Sequence, residues 1–357
     1  MPKTIIFHIG LEKTGTSSFQ RFCHAHRRAL AARGVLYPTQ NLAFSRRSRN
    51  HAALVAGYYE GAGWADFNLA RSWKGRRSVV DSLAAEIERD AAPTALVSAE
   101  HLSSRLYPFQ IEKLAEDFAG FDCRIAIVLR PHEERVYSAY SSTIRAGRSL
   151  TLDAFVDELL VPQNWYCRYA ETISRWRRVF GAERVAIFPF RKSRDIVELL
   201  WTEMLGFDGA PPKRGVRVNA DPGASALEAM RRVNEIIGDR ETFPRRGYLR
   251  HLALTSMRSA ILRSLAATPR RADDRLRVDD ERRARLVALV DEDIERLAPL
   301  TSLELPRMAA AAAADHAAAA IIEERAKRLL EQRRFVAASL ALAQKLGAAD
   351  PRRDAQP

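Results

Sequence analysis

The residues most able to do chemistry lie at the start of the chain, where the apolar run Ile5-Ile6-Phe7-His8-Ile9 empties into Gly10-Leu11-Glu12-Lys13-Thr14-Gly15-Thr16-Ser17-Ser18. Such a turn opening a helix reads as a phosphate cradle, because its backbone N–H groups and the positive end of the helix bind an anion together. The chemistry expected of it involves a nucleotide. Gly10 and Gly15 have the separation of a G-x-x-x-x-G-K-[ST] loop, but Thr16 occupies the lysine position and the cation stands earlier, at Lys13.

A second constellation is Arg124-Ile125-Ala126-Ile127-Val128-Leu129-Arg130-Pro131, followed by Glu134-Arg135-Val136-Tyr137-Ser138. An arginine at the carboxyl end of a strand and a serine eight positions later on the next helix are suited to one anion at the sheet's edge. A guanidinium fits phosphate through two parallel charge-assisted hydrogen bonds.

In this order the two motifs resemble those of sulfotransferases of the bacterial and Golgi carbohydrate type, which use 3′-phosphoadenosine 5′-phosphosulfate (PAPS) as sulfuryl donor. The resemblance covers roughly residues 3 to 300, with sharp motifs at about 5 to 20 and 98 to 145. It implies that Lys13, Thr14, Gly15, Thr16, Ser17 and Ser18 hold the 5′-phosphosulfate and that Arg130 and Ser138 hold the 3′-phosphate. Lys13 would also stabilise charge growing on the bridging oxygen. A loose match to the family's adenosine loop is Phe243-Pro244-Arg245-Arg246-Gly247, which makes Arg245 and Arg246 candidate donor ligands, with Lys213-Arg214-Gly215 as another match. Family members place a base, histidine or glutamate, at a similar strand end, and here Leu96-Val97-Ser98-Ala99-Glu100-His101 offers both. His101 is favoured for a pKa near neutrality, and adjacent side chains on a strand diverge, so one of the two is expected to face the donor. Glu12 and His51 are further candidate bases, each read first as structural or as a substrate contact. The basic stretch Arg46-Arg47-Ser48-Arg49 reads as a grip on an acidic acceptor or as a solvated loop.

The elements that must position these residues alternate. Strands are expected at Thr4 to Ile9, Thr94 to Ser98, Arg124 to Leu129 and Val185 to Phe190. Helices are expected at Gly15 to Arg33, Leu83 to Arg89, Ile111 to Phe118, Pro131 to Arg145 and about Asp195 to Leu205, with Gly34 to Pro38 returning the chain after the first. The alternation predicts an α/β fold, a doubly wound parallel sheet with flanking helices. Residues 40 to 78 read as an insertion over the site. From Ala224 onward the pattern is helical: Ala226 to Ile237, Leu252 to Leu265, Asp280 to Leu297, then an Ala-rich stretch and a hairpin over Glu323 to Leu346. The expected organisation is an α/β domain over 1–300, a C-terminal helical extension over 301–349 for packing or oligomerisation, and a disordered tail over 350–357.

Composition bounds the partners. Fifty-seven Lys and Arg against forty-four Asp and Glu leave a net charge of +13, which attracts anions. No recognition-helix spacing or aromatic-interleaved basic stretch is present, so nucleic acid is not an expected partner. Three scattered cysteines, Cys23, Cys123 and Cys167, give neither a disulfide framework nor a zinc site, which suits a reducing, cytoplasmic compartment. No leader or membrane-spanning stretch is read, and peripheral membrane contact stays open. The expected partners are a nucleotide donor and an acceptor hydroxyl, on a glycan by the resemblance, with no metal required. Two other classes compete: a P-loop kinase or NTPase, and a non-catalytic polyanion-binding protein.

Overall fold

A computed structural model describes residues 2–39, 49–58, 76–191, 193–212, 222–238, 248–268, 271, 273–309 and 316–348. Five strands, β1 (Thr4–His8), β2 (Val35–Leu36), β3 (Thr94–Ser98), β4 (Asp122–Leu129) and β5 (Val185–Pro189), form one sheet in the order β2-β3-β1-β4-β5. All four pairings are parallel. Around them run α1 (Thr16–Ala25), α2 (Arg27–Ala31), α3 (Ala52–Tyr58), α4 (Arg76–Arg89), α5 (His101–Arg105), α6 (Pro108–Asp117), α7 (His132–Arg145), α8 (Leu152–Leu160), α9 (Tyr169–Phe180) and α10 (Ile196–Leu199), the last continued by a π-turn over Leu200–Met204. Five longer helices follow: α11 (Ala224–Ile237), α12 (Tyr248–Ala266), α13 (Asp280–Leu297), α14 (His316–Gln332) and α15 (Arg334–Ala348).

Apart from Arg124 in β4 and the polar residues at their ends, the strands are apolar because helices cover both faces of the sheet. Ile5, Phe7, Val97, Ile125 and Ile127 enter one buried cluster with Leu114 of α6 and Trp176 of α9. Leu96 and Val128 point the other way, into a cluster with Phe19 and Cys23 of α1 and Trp201. This alternation along each strand is the ordinary period of two. The chain winds from β1 through β2 to β3 on one side of β1 and then crosses to β4 on the other. The loops that leave the carboxyl ends of β1 and β4 therefore sit side by side, where a doubly wound sheet opens its ligand crevice.

The contacts divide the chain into two compact units. One comprises Met1–Arg135, Pro162–Val218 and Leu289–Met308 and holds the whole sheet. The other comprises Val136–Val161, Asn219–Ala288 and Ala309–Pro357. It is helical, with α11 packing against α12, α14 and α15. Asn234 on α11 donates to the carbonyls of Ile144 and Arg148, 2.7 Å each.

Several expected elements differ in detail. The helix read from Gly15 to Arg33 breaks at His26 into α1 and α2, and the return through Val35 and Leu36 is a short strand, started by Gly34 at φ 78°. The helix read from Asp195 to Leu205 is four α residues and a π-turn. Helices α8 and α9 stand where no element was expected. The tail, most of the insertion and the Ala-rich run at 310–315 lie outside the described residues.

Candidate functional site

The strand β1 hands its ladder to the loop without a gap: Ile9 N–H donates to Ala126 O at 3.0 Å and Leu11 N–H to Val128 O at 3.4 Å. Thr14, fully buried, closes the turn by donating its hydroxyl to Leu11 O at 2.6 Å. Gly15 caps α1 at φ 82°, and Lys13, at φ 72°, is the one non-glycine residue with positive φ among the described residues. A Cβ at Gly10 would stand 2.7 Å from Thr16 Cγ2, so the loop closes tightly on the first turn of α1. Left-handed positions so placed turn successive amides to one side.

Two arginines fix which side. Arg135 Nε donates to Glu12 O at 2.9 Å and Arg130 Nη1 donates to Lys13 O at 2.7 Å. In a planar trans peptide the N–H points opposite to the C=O, so the amides of Lys13 and Thr14 face away from the two guanidiniums. Arg135 is buried, lies 3.6 Å over the Tyr166 ring and also donates to Tyr166 O. Arg130 is braced by Glu134 at 3.2 Å and by the Phe190 ring at 4.7 Å, and Tyr169 OH donates to its carbonyl at 2.8 Å. The loop after β1 and the end of β4 are thus in direct contact. Thr16, Ser17 and Ser18 form the first turn of α1, whose positive end adds to the cradle.

Glu100 and His101 do not end a strand. β3 stops at Ser98, Ala99 N–H makes the last ladder bond to His8 O at 3.0 Å, and residues 101–105 turn into α5 with Glu100 at its N-cap. The two side chains still diverge. His101 Nδ1 lies 3.0 Å from Glu12 Oε1, which also accepts from Ser104 at 2.8 Å and lies 3.7 Å from Arg105. Burial penalises both charges, but the mutual hydrogen bond and Coulomb attraction overcome it: Glu12 is held well below the ordinary carboxylate range and His101 is raised above 6.5. Glu100, 9% exposed, accepts instead from Gln20 Nε2 at 2.5 Å.

His51 is engaged at both nitrogens, receiving Ser98 N–H on Nδ1 at 3.0 Å and meeting Pro38 O with Nε2 at 3.1 Å, and burial lowers its pKa to about 4. Ser138 lies on α7 in the stretch that belongs to the helical unit. Arg245, Arg246, Lys213, Arg214, Gly215, Arg46 and Arg47 lie outside the described residues. Among the described residues no group of three His, Cys, Asp or Glu side chains is arranged to hold a metal ion, and no helix is long and apolar enough to cross a membrane. The sequence reading missed Arg135, Arg105, Ser104 and Gln20. Gln20 alone left a signal, as a polar residue inside the buried stripe Phe19, Phe22, Cys23 of α1.

The chain is thus a doubly wound parallel α/β protein with a tight loop of left-handed turns, Lys13 and Gly15, at its switch point. No protein-family model matches it, and no curated protein does. Among solved structures it is similar to the crystal structure of a sulfotransferase from Alicyclobacillus acidocaldarius, at 18% sequence identity over 85% of this chain and 97% of that chain, with a TM-score of 0.44. A likeness of that degree carries no weight beside the strand order and the loop geometry.

Proposed function

We propose that this protein is a sulfotransferase that moves a sulfuryl group from PAPS to an acceptor hydroxyl, with carbohydrate as the acceptor class. The observation that carries this reading is the loop itself: left-handed Lys13 and Gly15, with the Glu12 and Lys13 carbonyls turned to Arg135 and Arg130. The amides from Lys13 to Ser17 and the hydroxyls of Thr16 and Ser17 hold the 5′-phosphate, while the Ser18 amide is taken by Gly15 O at 3.0 Å. Thr14 contributes only its amide, since its hydroxyl is committed to Leu11. Lys13 stabilises the negative charge that grows on the bridging oxygen as the S–O bond breaks. Arg130, with two of its five N–H groups engaged, has donors left for the 3′-phosphate. Ser138, Arg245 and Arg246 enter the proposal on the sequence motifs alone.

Glu100 is the proposed base, receiving the acceptor's proton as the new S–O bond forms. His101 is less suited, because its pairing with Glu12 favours the imidazolium; its role here is to brace the loop. The organisation into a domain over 1–300 with a helical extension, and a cytoplasmic setting, belong to the same proposal. The latter is supported by three free, buried cysteines, two of which burial pushes up to about 12, so they remain thiols.

Isothermal titration with adenosine 3′,5′-bisphosphate (PAP) beside ATP with magnesium tests the reading. Tighter binding of PAP is expected; preference for ATP with magnesium rejects it in favour of a P-loop kinase or NTPase.

A further inference from the structure

Behind Glu100 lies a chain of buried polar groups. Gln20, 3% exposed on the second turn of α1, places Nε2 at 2.5 Å from Glu100 Oε2 and at 3.2 Å from Ser98 Oγ. Ser98, fully buried at the end of β3, meets His8 Nδ1 at 2.8 Å, and His8 is fully buried at the end of β1. Burying four polar side chains together is costly unless each is hydrogen-bonded, so the set is informative about what it holds.

The donor to Glu100 can be assigned. An ionised carboxylate only accepts, so the Gln20 amide presents its NH2 group and spends both protons, one on Glu100 and one on the Ser98 oxygen. The Ser98 oxygen also pairs with His8 Nδ1, as donor or acceptor according to the His8 tautomer. Burial lowers the His8 pKa to about 4, consistent with a neutral ring. The one contact that the series makes with Glu100 is a donor to Oε2. Glu100 Oε1 carries no hydrogen bond among the described residues.

We propose that Gln20 is a positioning residue for the acceptor base: it clamps one oxygen of Glu100 so that the other faces the incoming hydroxyl, and Ser98 and His8 hold Gln20 in that orientation. The inference rests on Glu100 being the base. Without Gln20 the carboxylate retains its place at the N-cap of α5 but loses the contact that fixes its plane, and misplacement of a catalytic group is costly in rate and not in donor affinity.

The test is a double-mutant cycle between Gln20→Leu and Glu100→Ala. PAP affinity is read by titration, and PAP release from PAPS is followed with N-acetylglucosamine, lactose or water alone as acceptor. Gln20→Leu is expected to lower turnover about 10- to 100-fold with PAP affinity within about twofold, and to have no further effect in the Glu100→Ala background. Ser98→Ala, which leaves Gln20 in place, should show a smaller loss with the same non-additivity and serves if Gln20→Leu does not fold. Equal losses in both backgrounds, or wild-type turnover in Gln20→Leu, overturn the positioning role while leaving the sulfotransferase reading intact. Failure of the wild-type protein to bind PAP overturns that reading, and binding of PAP without consumption of PAPS under any of the three conditions overturns the assignment of Glu100 and the clamp together.

Discussion

Lys13 and Gly15 share the left-handed region, at φ 72° and 82°, but the two positions answer to different demands. At Gly15 a side chain is excluded by packing as well as by backbone: a Cβ there would lie 2.9 Å from Ile196 Cγ2. Gly15→Ala combines the left-handed penalty with overpacking against α10, and a loss of about 2–4 kcal/mol in denaturant unfolding is expected. At Lys13 a lysine is retained although glycine would sit there more comfortably. Local strain of this kind, on the order of 1 kcal/mol, persists where the side chain is needed. Lys13→Gly should therefore leave stability unchanged or raise it by up to about 1 kcal/mol while transfer from PAPS is largely lost. A loss of stability in that variant would show that Lys13 serves the fold instead of the reaction.

At the scale of elements, the loop's orientation depends on α7, whose first turns bring Arg135 under Glu12 while the end of β4 brings Arg130 under Lys13. Arg135 spans Glu12 O and Tyr166 O with one planar group, which a lysine cannot reproduce. Arg135→Lys keeps the charge and loses the fork, so PAP affinity should fall by about tenfold, with a smaller loss of thermal stability from an acceptor left unpaired. Calorimetry on the pair of proteins checks both. That arginine also shows where the sequence stops being legible. The strands β1, β3, β4 and β5 could be read because a sheet covered on both faces needs continuous apolar runs. Lys13, Gly15 and Arg130 could be read because each sits in a short-range pattern. Arg135 stands among charged residues at the start of α7, with nothing local to distinguish it from a solvated side chain. Helix α9 was missed for a related reason: its buried face includes Arg175 and Thr172 beside Tyr169, Ile173 and Trp176, so the apolar stripe looks interrupted. The Glu12–His101 pair joins residues 89 positions apart, a distance over which no local spacing rule operates.

For the whole molecule, a net charge of +13 sets attraction for anions, but the pH dependence of stability is set by buried groups in the sheet-bearing unit. His8 and His51 are buried and neutral, and burial lowers both from 6.5 to about 4. Because unfolding frees them to bind protons at the ordinary value, each contributes stability that is complete above pH 6.5 and lost as pH falls toward 4, on the order of 3 kcal/mol apiece. Glu12, depressed from 4.5, adds a contribution present above 4.5 and lost on further acidification. His101 acts in the opposite sense: raised from 6.5 by Glu12, it contributes stability that is fully present below 6.5 and lost as pH climbs through its raised value. Stability should therefore peak near and just above neutrality and fall more steeply on the acid side, where His8, His51 and His132, which burial also lowers, and then Glu12 withdraw support. Thermal unfolding measured from pH 4 to 9 reads this directly. His101→Gln, which leaves a neutral group beside Glu12, should flatten the alkaline decline and leave the drop between pH 6.5 and 4 in place. If the acid-side drop shrinks in His101→Gln while the alkaline side is unchanged, the charged pair between α5 and the loop is not formed, and the brace on the loop after β1 goes with it.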